Sequence, residues 1–109
     1  MKDFFDLWAI ADTFAFDGEL LGAAIAATFA QRATALPAIT PPGLTAEFAN
    51  DAEKRRLWRA FLGRAGVATA PDNLDEVVGA LDAFLTPLSA RLAAGELFGR
   101  QWHPGGPWR

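Results

Sequence analysis

Two carboxylates near the start of the sequence are the first candidates for chemistry. Asp3 and Asp6 stand three residues apart, with Lys2 beside them, and at helical spacing both acids project from nearly the same side. Hard cations such as Mg²⁺ choose oxygen ligands, and a neighbouring lysine suits a triphosphate. Acidic side chains are also favoured at any helix start, because they complement the helix dipole. The spacing therefore leaves two interpretations open, a metal and phosphate site or an ordinary N-terminal charge pattern.

A basic segment lies in the middle of the chain. Residues 51–66 carry five cations against two acids, although the net charge of the whole chain is −3. Arg55 and Arg59 stand one helical turn apart, and such a pair predicts sequence-independent contacts to a phosphate backbone. The same charges also suit the solvated side of a helix. The negative net charge argues against a free-standing nucleic-acid-binding protein.

The other reactive residue types predict no further site. Cysteine is absent, which excludes disulfides, thiolate catalysis and zinc–thiolate sites. Ser89 and His103 are each the only residue of their type, so we expect no Ser-His-Asp triad and a packing or solvent-facing role for His103. Gly105-Gly106 lacks the phosphate-loop pattern and predicts a turn. Trp102 and Trp108 have two interpretations, stacking on bases or pinning the C-terminal segment to the body.

Helices must position these residues. The chain of 109 residues is rich in Ala and Leu and shows no clean period-two alternation, which predicts an all-α fold. We expect one domain over residues 1–109, a compact bundle of about four helices with a Pro-rich linker and an irregular C-terminal strap. The main helices are predicted at residues 2–14, 18–32 and 51–64, and between a cap at Asp72 or Asn73 and Gly95, with a short helical turn starting at residues 44–45.

Local signals set the helix ends and the apolar faces. Asp17 and Thr45 are predicted N-caps, Asp51 opens the third main helix, and Gly66 ends it in a left-handed conformation. Three prolines predict an extended linker over residues 35–43, and Pro87 predicts a kink in the last helix. The predicted inward faces are Phe4, Leu7, Trp8 and Ala11; Leu20, Leu21, Ala24, Ile25, Thr28 and Phe29; Leu57, Trp58, Phe61 and Leu62; and Leu74, Val77, Val78, Leu81, Phe84, Leu85, Leu88 and Leu92.

The opening residues resemble a known family. Met-Lys-Asp-Phe-Phe-Asp-Leu-Trp at residues 1–8 is similar to the (R)-x-K-D-[FY]-[FY]-D-[LI] motif of AbiEii/AbiGii-type nucleotidyltransferase toxins. These toxins belong to bacterial type IV toxin–antitoxin and abortive-infection systems. The resemblance continues through Thr-Phe-x-Phe-Asp-Gly at residues 13–18, residues 24–29, Trp-Arg-Ala-Phe-Leu at residues 58–62 and the tail at residues 102–109.

The resemblance implies a specific chemistry. Members of this family look like DNA-polymerase-β-type transferases, with an N-terminal α/β catalytic half and a helical C-terminal half. They use Mg²⁺ and a nucleoside triphosphate, some relatives transfer nucleotides to the acceptor ends of tRNA, and the partner is a separate antitoxin. The essential aspartate of the late K-D-x-x-D motif corresponds to Asp3, with Lys2 and Asp6 as weaker correspondences. The absence of cysteine fits a reducing cytosol, so a cytoplasmic location is expected, and no apolar run reaches the roughly 20 residues of a membrane helix.

One part of the family pattern has no counterpart in this sequence. The Gly-Ser element and the paired metal-binding aspartates of the catalytic half are not found, and two-metal phosphoryl transfer needs carboxylates from several segments. We therefore expect a C-terminal helical region that binds no cofactor tightly and is inactive alone. Its expected partners are the missing N-terminal half or the antitoxin, with self-association through Phe4, Phe5, Leu7 and Trp8. The alternatives are a self-standing interaction module, antitoxin-like or regulatory, and a small RNA-binding domain that uses Arg55 and Arg59.

Overall fold

A computed structural model describes residues 1–36 and 40–109. Its secondary structure is dominated by helices, as predicted. The elements in chain order are α1 (Lys2–Thr13), β1 (Phe16–Asp17), α2 (Gly18–Gln31), a 3₁₀ turn (Pro42–Leu44), α3 (Ala46–Asn50), α4 (Ala52–Ala65), α5 (Leu74–Ala93) and β2 (Gln101–Trp102). The predicted all-α fold class is thus confirmed, and the four main helices lie within about two residues of their predicted bounds. The predicted linker falls partly on residues 37–39, which lie outside the described residues.

Helix α5 is the centre of the fold and packs against α1, α2, α3 and α4. The helix continues through Pro87 to Ala93, so the proline does not interrupt it, and Gly95 follows with a φ of 76°. Pro87 is exposed on the outer side of the helix, where water can satisfy the carbonyl that loses its partner. The predicted apolar stripe of α5 is confirmed, and its buried members are Leu74, Val77, Val78, Leu81, Phe84 and Leu88.

The predicted caps hold the other helices in place. The carboxylates of Asp17 and Asp51 and the hydroxyl of Thr45 each accept a hydrogen bond from backbone N–H groups in the first turn of α2, α4 and α3. Gly66 ends α4 in the left-handed conformation, with a φ of 65°. Asn73 is the N-cap residue of α5, but its side chain forms no capping hydrogen bond. Short-range chemistry therefore fixes most helix ends, as expected from the residue types.

One hydrophobic cluster joins the start of α1 to α3, α4 and the first half of α5. Trp58 is completely buried in it, and the Trp58 indole Nε1 donates to the carbonyl oxygen of Pro71 at 3.0 Å. The Phe4 ring lies 5.2 Å from the ring of Phe48, measured between centroids. These aromatic contacts attach the N-terminal helix to the α3–α4 corner.

A second cluster is built around the C-terminal segment, which is more regular than predicted. β1 and β2 pair antiparallel, with Phe16 opposite Trp102, and Trp102 also forms a bridge with Trp108. The indole Nε1 of Trp102 donates to the Ala11 carbonyl at 2.8 Å, and that of Trp108 donates to the Phe84 carbonyl at 2.9 Å. The expectation that both tryptophans pin the tail is confirmed. Apart from the two-residue strand β2, which is too short to show a period in the sequence, the tail is irregular as predicted.

Helix α2 packs through a face that matches the predicted one only in part, because Leu21, Ile25 and Phe29 are partly buried as predicted but the other members are not. Leu20 is 73% exposed, and Ala24 and Thr28 are exposed as well. Gly18 and Gly22 are buried in their place. A Cβ atom at Gly18 would lie 2.6 Å from the carbonyl oxygens of two residues in the 98–100 segment. The close approach of the tail backbone to Gly18 and of the Leu88 and Leu92 side chains to Gly22 therefore decides which face of α2 is buried.

Candidate functional site

Helix α1 has a buried side that fixes its orientation. Phe4, Phe5 and Trp8 are partly buried and pack against the first cluster, and Ala11 is buried in the second. The N-cap residue of α1 is Met1, which forms no side-chain capping bond, and Asp3 lies in the first turn. An acid at this position complements the exposed N–H groups of the helix start. Packing thus holds α1 rigidly while its first turn stays open to solvent.

The opposite side of α1 is exposed and partly apolar. Leu7 and Ile10 are 38% and 39% exposed, and Phe14, just past the helix end, is 56% exposed. Asp3, Leu7 and Ile10 follow a spacing of four and three residues, so they lie on one face. Leu7 was expected to face the core, and that expectation is wrong, because α1 packs Phe5 at one edge of its apolar face and leaves Leu7, at the other edge, 38% exposed. The outward face of Asp3, Leu7, Ile10 and Phe14 is called the α1 outer face below.

Lys2 and Asp6 form an ion pair across one turn of α1. The Lys2 Nζ donates to Asp6 Oδ2 at 2.6 Å, and both side chains are exposed to solvent. This hydrogen bond and the charge of Asp6 raise the pKa of Lys2 above its ordinary value. Asp3, in contrast, forms no side-chain hydrogen bond or ion pair with any of the described residues. Of the three predicted site residues, Asp3 is therefore the carboxylate that is free to bind a ligand.

The acids of α1 are an incomplete donor set for Mg²⁺. Asp3 offers one free carboxylate, and Asp6 offers a second only when it releases Lys2. Within residues 1–36 and 40–109, no group of three or more His, Cys, Asp or Glu side chains is close enough to hold a metal ion. Two-metal phosphoryl transfer takes carboxylates from several segments. The described residues alone do not fit a complete site of that kind.

A basic cleft lies at the corner between α3 and α4. It has a volume of about 290 Å³ and is lined by Asn50, Ala52, Arg55, Arg56 and Arg59. The structure thus brings together the predicted residues Arg55 and Arg59 and adds Asn50 and Arg56 to them. These five residues are called the arginine cleft below. The sequence did not predict a concave surface here, since it forms only where α3 ends and α4 changes direction.

The arginines of the cleft differ in what they contact. Arg56 is held by Glu53, with Nε donating to Oε2 at 3.0 Å. This hydrogen bond from Arg56 lowers the pKa of Glu53 below its ordinary value, and the same contact raises the pKa of Arg56. Arg55 and Arg59 form no ion pair with the described residues. The cleft therefore keeps two uncompensated cations on one helix.

The acidic start of α1 and the basic α4 meet at one aromatic ring. The Lys54 Nζ lies 5.6 Å from the centroid of the Phe48 ring, within the range of a cation–π contact. Phe4, the neighbour of Asp3, contacts the same Phe48 ring. The two predicted groups of charged residues are thus linked through α3, although they lie about fifty residues apart in the sequence.

The candidates in the tail have structural roles. His103 is exposed, and its carbonyl oxygen accepts a hydrogen bond from the N–H of Gly106 at 2.7 Å, which closes the predicted turn. Trp102 is only 3% exposed, so no base can stack on it.

A second concavity, about 420 Å³ in volume, lies beside the tail and was not predicted from the sequence. Its lining is Ala83, Pro87, Arg91, Phe98, Arg100, Pro107 and Trp108.

Comparison with known protein families shows which family the chain belongs to. The model of a family described as nucleotidyl transferase AbiEii toxin, type IV toxin–antitoxin system, matches residues 1–83. The chain belongs to this AbiEii family. The resemblance predicted from the opening motif is thereby confirmed over the region that contains Asp3 and the arginine cleft. Neither a search of curated proteins nor one of solved structures gives a match.

Membership of the AbiEii family has consequences for ligands and partners. The family name denotes nucleotidyltransferases, which use a nucleotide and generally a metal ion, and a type IV toxin–antitoxin system implies an antitoxin. The match stops at residue 83, so the family similarity predicted for residues 102–109 stays a prediction. Among the described residues, no helix has both the length and the apolar character needed to cross a membrane.

Proposed function

We propose that this chain forms the helical region of an AbiEii-type nucleotidyltransferase toxin and that Asp3 is one of its active-site carboxylates. The observation that carries this proposal is the position of Asp3. Its carboxylate is exposed, has no partner among the described residues, and lies in the part of the chain that matches the family. A purely structural ion pair would occupy the carboxylate of Asp3, as Lys2 occupies that of Asp6.

The neighbours of Asp3 have supporting roles in this proposal. Lys2 is a cation at neutral pH, because the ordinary pKa of a lysine is 10.5 and that of Lys2 is raised further. Its ammonium group can exchange the carboxylate of Asp6 for a phosphate oxygen of the nucleotide. Asp6 would then hold the ammonium group in place rather than touch the reacting atoms. In this arrangement Asp3 is the catalytic residue, whereas Lys2 binds substrate and Asp6 positions Lys2.

The remaining carboxylates would come from another segment that packs on the α1 outer face. Leu7, Ile10 and Phe14 form an apolar surface on the same side of α1 as Asp3, and a surface of this type marks a contact with a protein partner. A catalytic half bound there would cover these side chains and bring its own carboxylates next to Asp3. We expect the 109 residues to fold as one domain, to transfer no nucleotide alone, and to self-associate through this face when the catalytic half is absent. The self-association face predicted from the sequence is wrong in part, because Phe4, Phe5 and Trp8 pack against the first cluster.

The proposal is tested by reconstituting nucleotide transfer. The chain is assayed with tRNA and a radiolabelled nucleoside triphosphate, first alone and then mixed with the separately produced catalytic half of an AbiEii-type protein. We expect label transfer only in the mixture. Replacing Asp3 by Asn should reduce the rate by at least about 100-fold, the size of effect seen when one group that stabilises transition-state charge is removed.

A matched variant separates catalysis from charge and folding. Asp12→Asn removes the same charge from another exposed position of α1 and should leave the rate unchanged. Asp6→Asn should reduce the rate less than Asp3→Asn, because Asp6 acts through Lys2. Transfer by the chain alone, or full activity of the Asp3→Asn variant in the mixture, would refute the proposal.

A further inference from the structure

The arginine cleft has the features of a binding site for anions. Its lining contains three guanidinium groups and the amide of Asn50, and no carboxylate belongs to it. A guanidinium group presents a planar fork of N–H donors that matches the geometry of phosphate oxygens. Surface arginines alone would not define such a site. Here they surround a concavity of about 290 Å³, so a bound group can contact more than one of them.

The backbone around the cleft is well anchored. α3 ends at Asn50, Asp51 is in an extended conformation, and α4 begins at Ala52. The carboxylate of Asp51 accepts a hydrogen bond from the N–H of Lys54 at 2.9 Å, and the buried Trp58 fixes the opposite side of α4. The positions of Arg55 and Arg59 are therefore set before any ligand binds, which reduces the entropy cost of binding.

The nearby acids leave the cleft with a positive balance. Glu53 is occupied by Arg56 in a two-point contact. Asp51 is the other acid at this helix start, and one of its oxygens is used for the cap. Arg55 and Arg59 have no ion pair among residues 1–36 and 40–109. An anion entering the cleft thus gains two charge-assisted contacts without first displacing a carboxylate.

We propose that the arginine cleft binds the phosphodiester backbone of a nucleic-acid strand. A strand is favoured over a free nucleotide because no aromatic side chain lines the cleft, so nothing there would stack on a base. Arg55 and Arg59 lie one turn apart on α4, which gives each of them a different phosphate along a strand. This proposal is separate from the role of Asp3, since it concerns binding and requires no transfer of a nucleotide.

Binding is measured by fluorescence anisotropy with a fluorescein-labelled single-stranded RNA of 20 nucleotides at several salt concentrations. Each phosphate contact to a single strand contributes about 0.7 to the slope of log K against log salt concentration. The double variant Arg55→Ala/Arg59→Ala should therefore lower this slope by about 1.4. It should also weaken binding at low salt by about tenfold or more.

The control is a second double variant with the same loss of charge. Arg32→Ala/Arg64→Ala removes two exposed arginines that do not line the cleft, and it should keep the salt slope and most of the affinity. Arg55→Lys/Arg59→Lys should restore the slope, because the charges return. Circular dichroism verifies that each variant is folded.

Several outcomes would overturn the proposal. One is no measurable binding of the RNA at low salt. Another is an equal loss of affinity in the two double-alanine variants, which would indicate a general charge effect. A third is complete displacement of the RNA by ATP or inorganic phosphate at the same phosphate concentration, which would make the cleft a site for small anions. Because the assay contains no transferase reaction, none of these outcomes depends on Asp3.

Discussion

The two ends of α1 differ in the environment of their polar groups. At the start of α1, Asp3 has no partner among the described residues and Lys2 holds Asp6 on the surface. At the other end of α1, the tail buries aromatic rings and pairs its polar atoms, with Trp102 and Gly105 both donating to the carbonyl of Ala11. Paired polar atoms in the interior stabilise a fold, whereas the carboxylate of Asp3 is exposed to solvent. The end of α1 therefore has a structural role, and its start is where we propose that a ligand binds.

Of the variants that test this comparison, replacement of Trp102 should cause the largest loss of stability. Replacing Trp102 by Ala removes a side chain that is 3% exposed and is expected to lower the free energy of unfolding by about 3–5 kcal/mol. The measurement is urea unfolding followed by circular dichroism. Leu97→Ala, at a residue 75% exposed, is the control and should change stability by less than about 0.5 kcal/mol. Equal effects of the two variants would mean that the tail does not stabilise the fold.

Two glycine variants are expected to change the free energy of unfolding in opposite directions, and they test whether the start of α2 is in close contact with the tail. Gly18→Ala places a Cβ 2.6 Å from two backbone carbonyl oxygens of the tail segment, and this overlap should lower the free energy of unfolding by about 1–3 kcal/mol. Gly79→Ala, inside α5 with no atom within 4 Å of the new Cβ, should raise it by about 0.5–1 kcal/mol. Thermal melts of both variants test this pair. Stabilisation by Gly18→Ala would show that β1 and the tail are not in close contact.

The smallest expected effect is a pH dependence at the cap of α2. Hydrogen bonds from the N–H of Leu20, from the side chain of Gln101 and from the N–H of Glu19 lower the pKa of Asp17 from its ordinary value of 3.8. A carboxyl group with a lowered folded-state pKa contributes stability above its ordinary pKa, and this contribution is lost as the pH falls through the folded value. Asp17→Asn keeps a capping oxygen but removes the charge.

Urea unfolding between pH 7 and pH 2 tests this dependence. The wild-type chain should be more stable than Asp17→Asn at neutral pH, and the difference should disappear in the acid range below the ordinary pKa. Asp72→Asn, an exposed acid outside the helices, is the control. A stability difference for Asp17→Asn that is independent of pH would show that the charge of the cap contributes nothing.

The parts of the fold that depend on short-range chemistry were predictable from the sequence. The caps at Asp17, Thr45 and Asp51 and the left-handed Gly66 all follow from residue type. The stripe of α5 was predictable because every position in it is apolar and in phase. These features depend on neighbours within one turn, which the sequence displays directly.

Features that depend on contacts between distant segments were not predictable in the same way. The buried face of α2 is set by Gly18 and Gly22, whose lack of a side chain gives no hydrophobic signal. For the candidate site, the sequence identified Asp3, Arg55 and Arg59. It did not show that Lys2 occupies Asp6, or that Asn50 and Arg56 complete a cleft, since both results require the geometry of the folded chain.

The hydrogen bonds that the Ala11 carbonyl oxygen accepts determine when the last turn of α1 can be fixed during synthesis. Its donors, the indole of Trp102 and the N–H of Gly105, come from the far end of the chain, and Trp102 lies 91 positions later. A ribosome must therefore synthesise the segment that ends with Trp102 and Gly105 before the last turn of α1 can reach its final packing. Contacts between such distant residues close slowly, because the intervening chain must first be ordered. The last turn of α1 is thus secured only after Trp102, 91 positions further along the chain, has been synthesised.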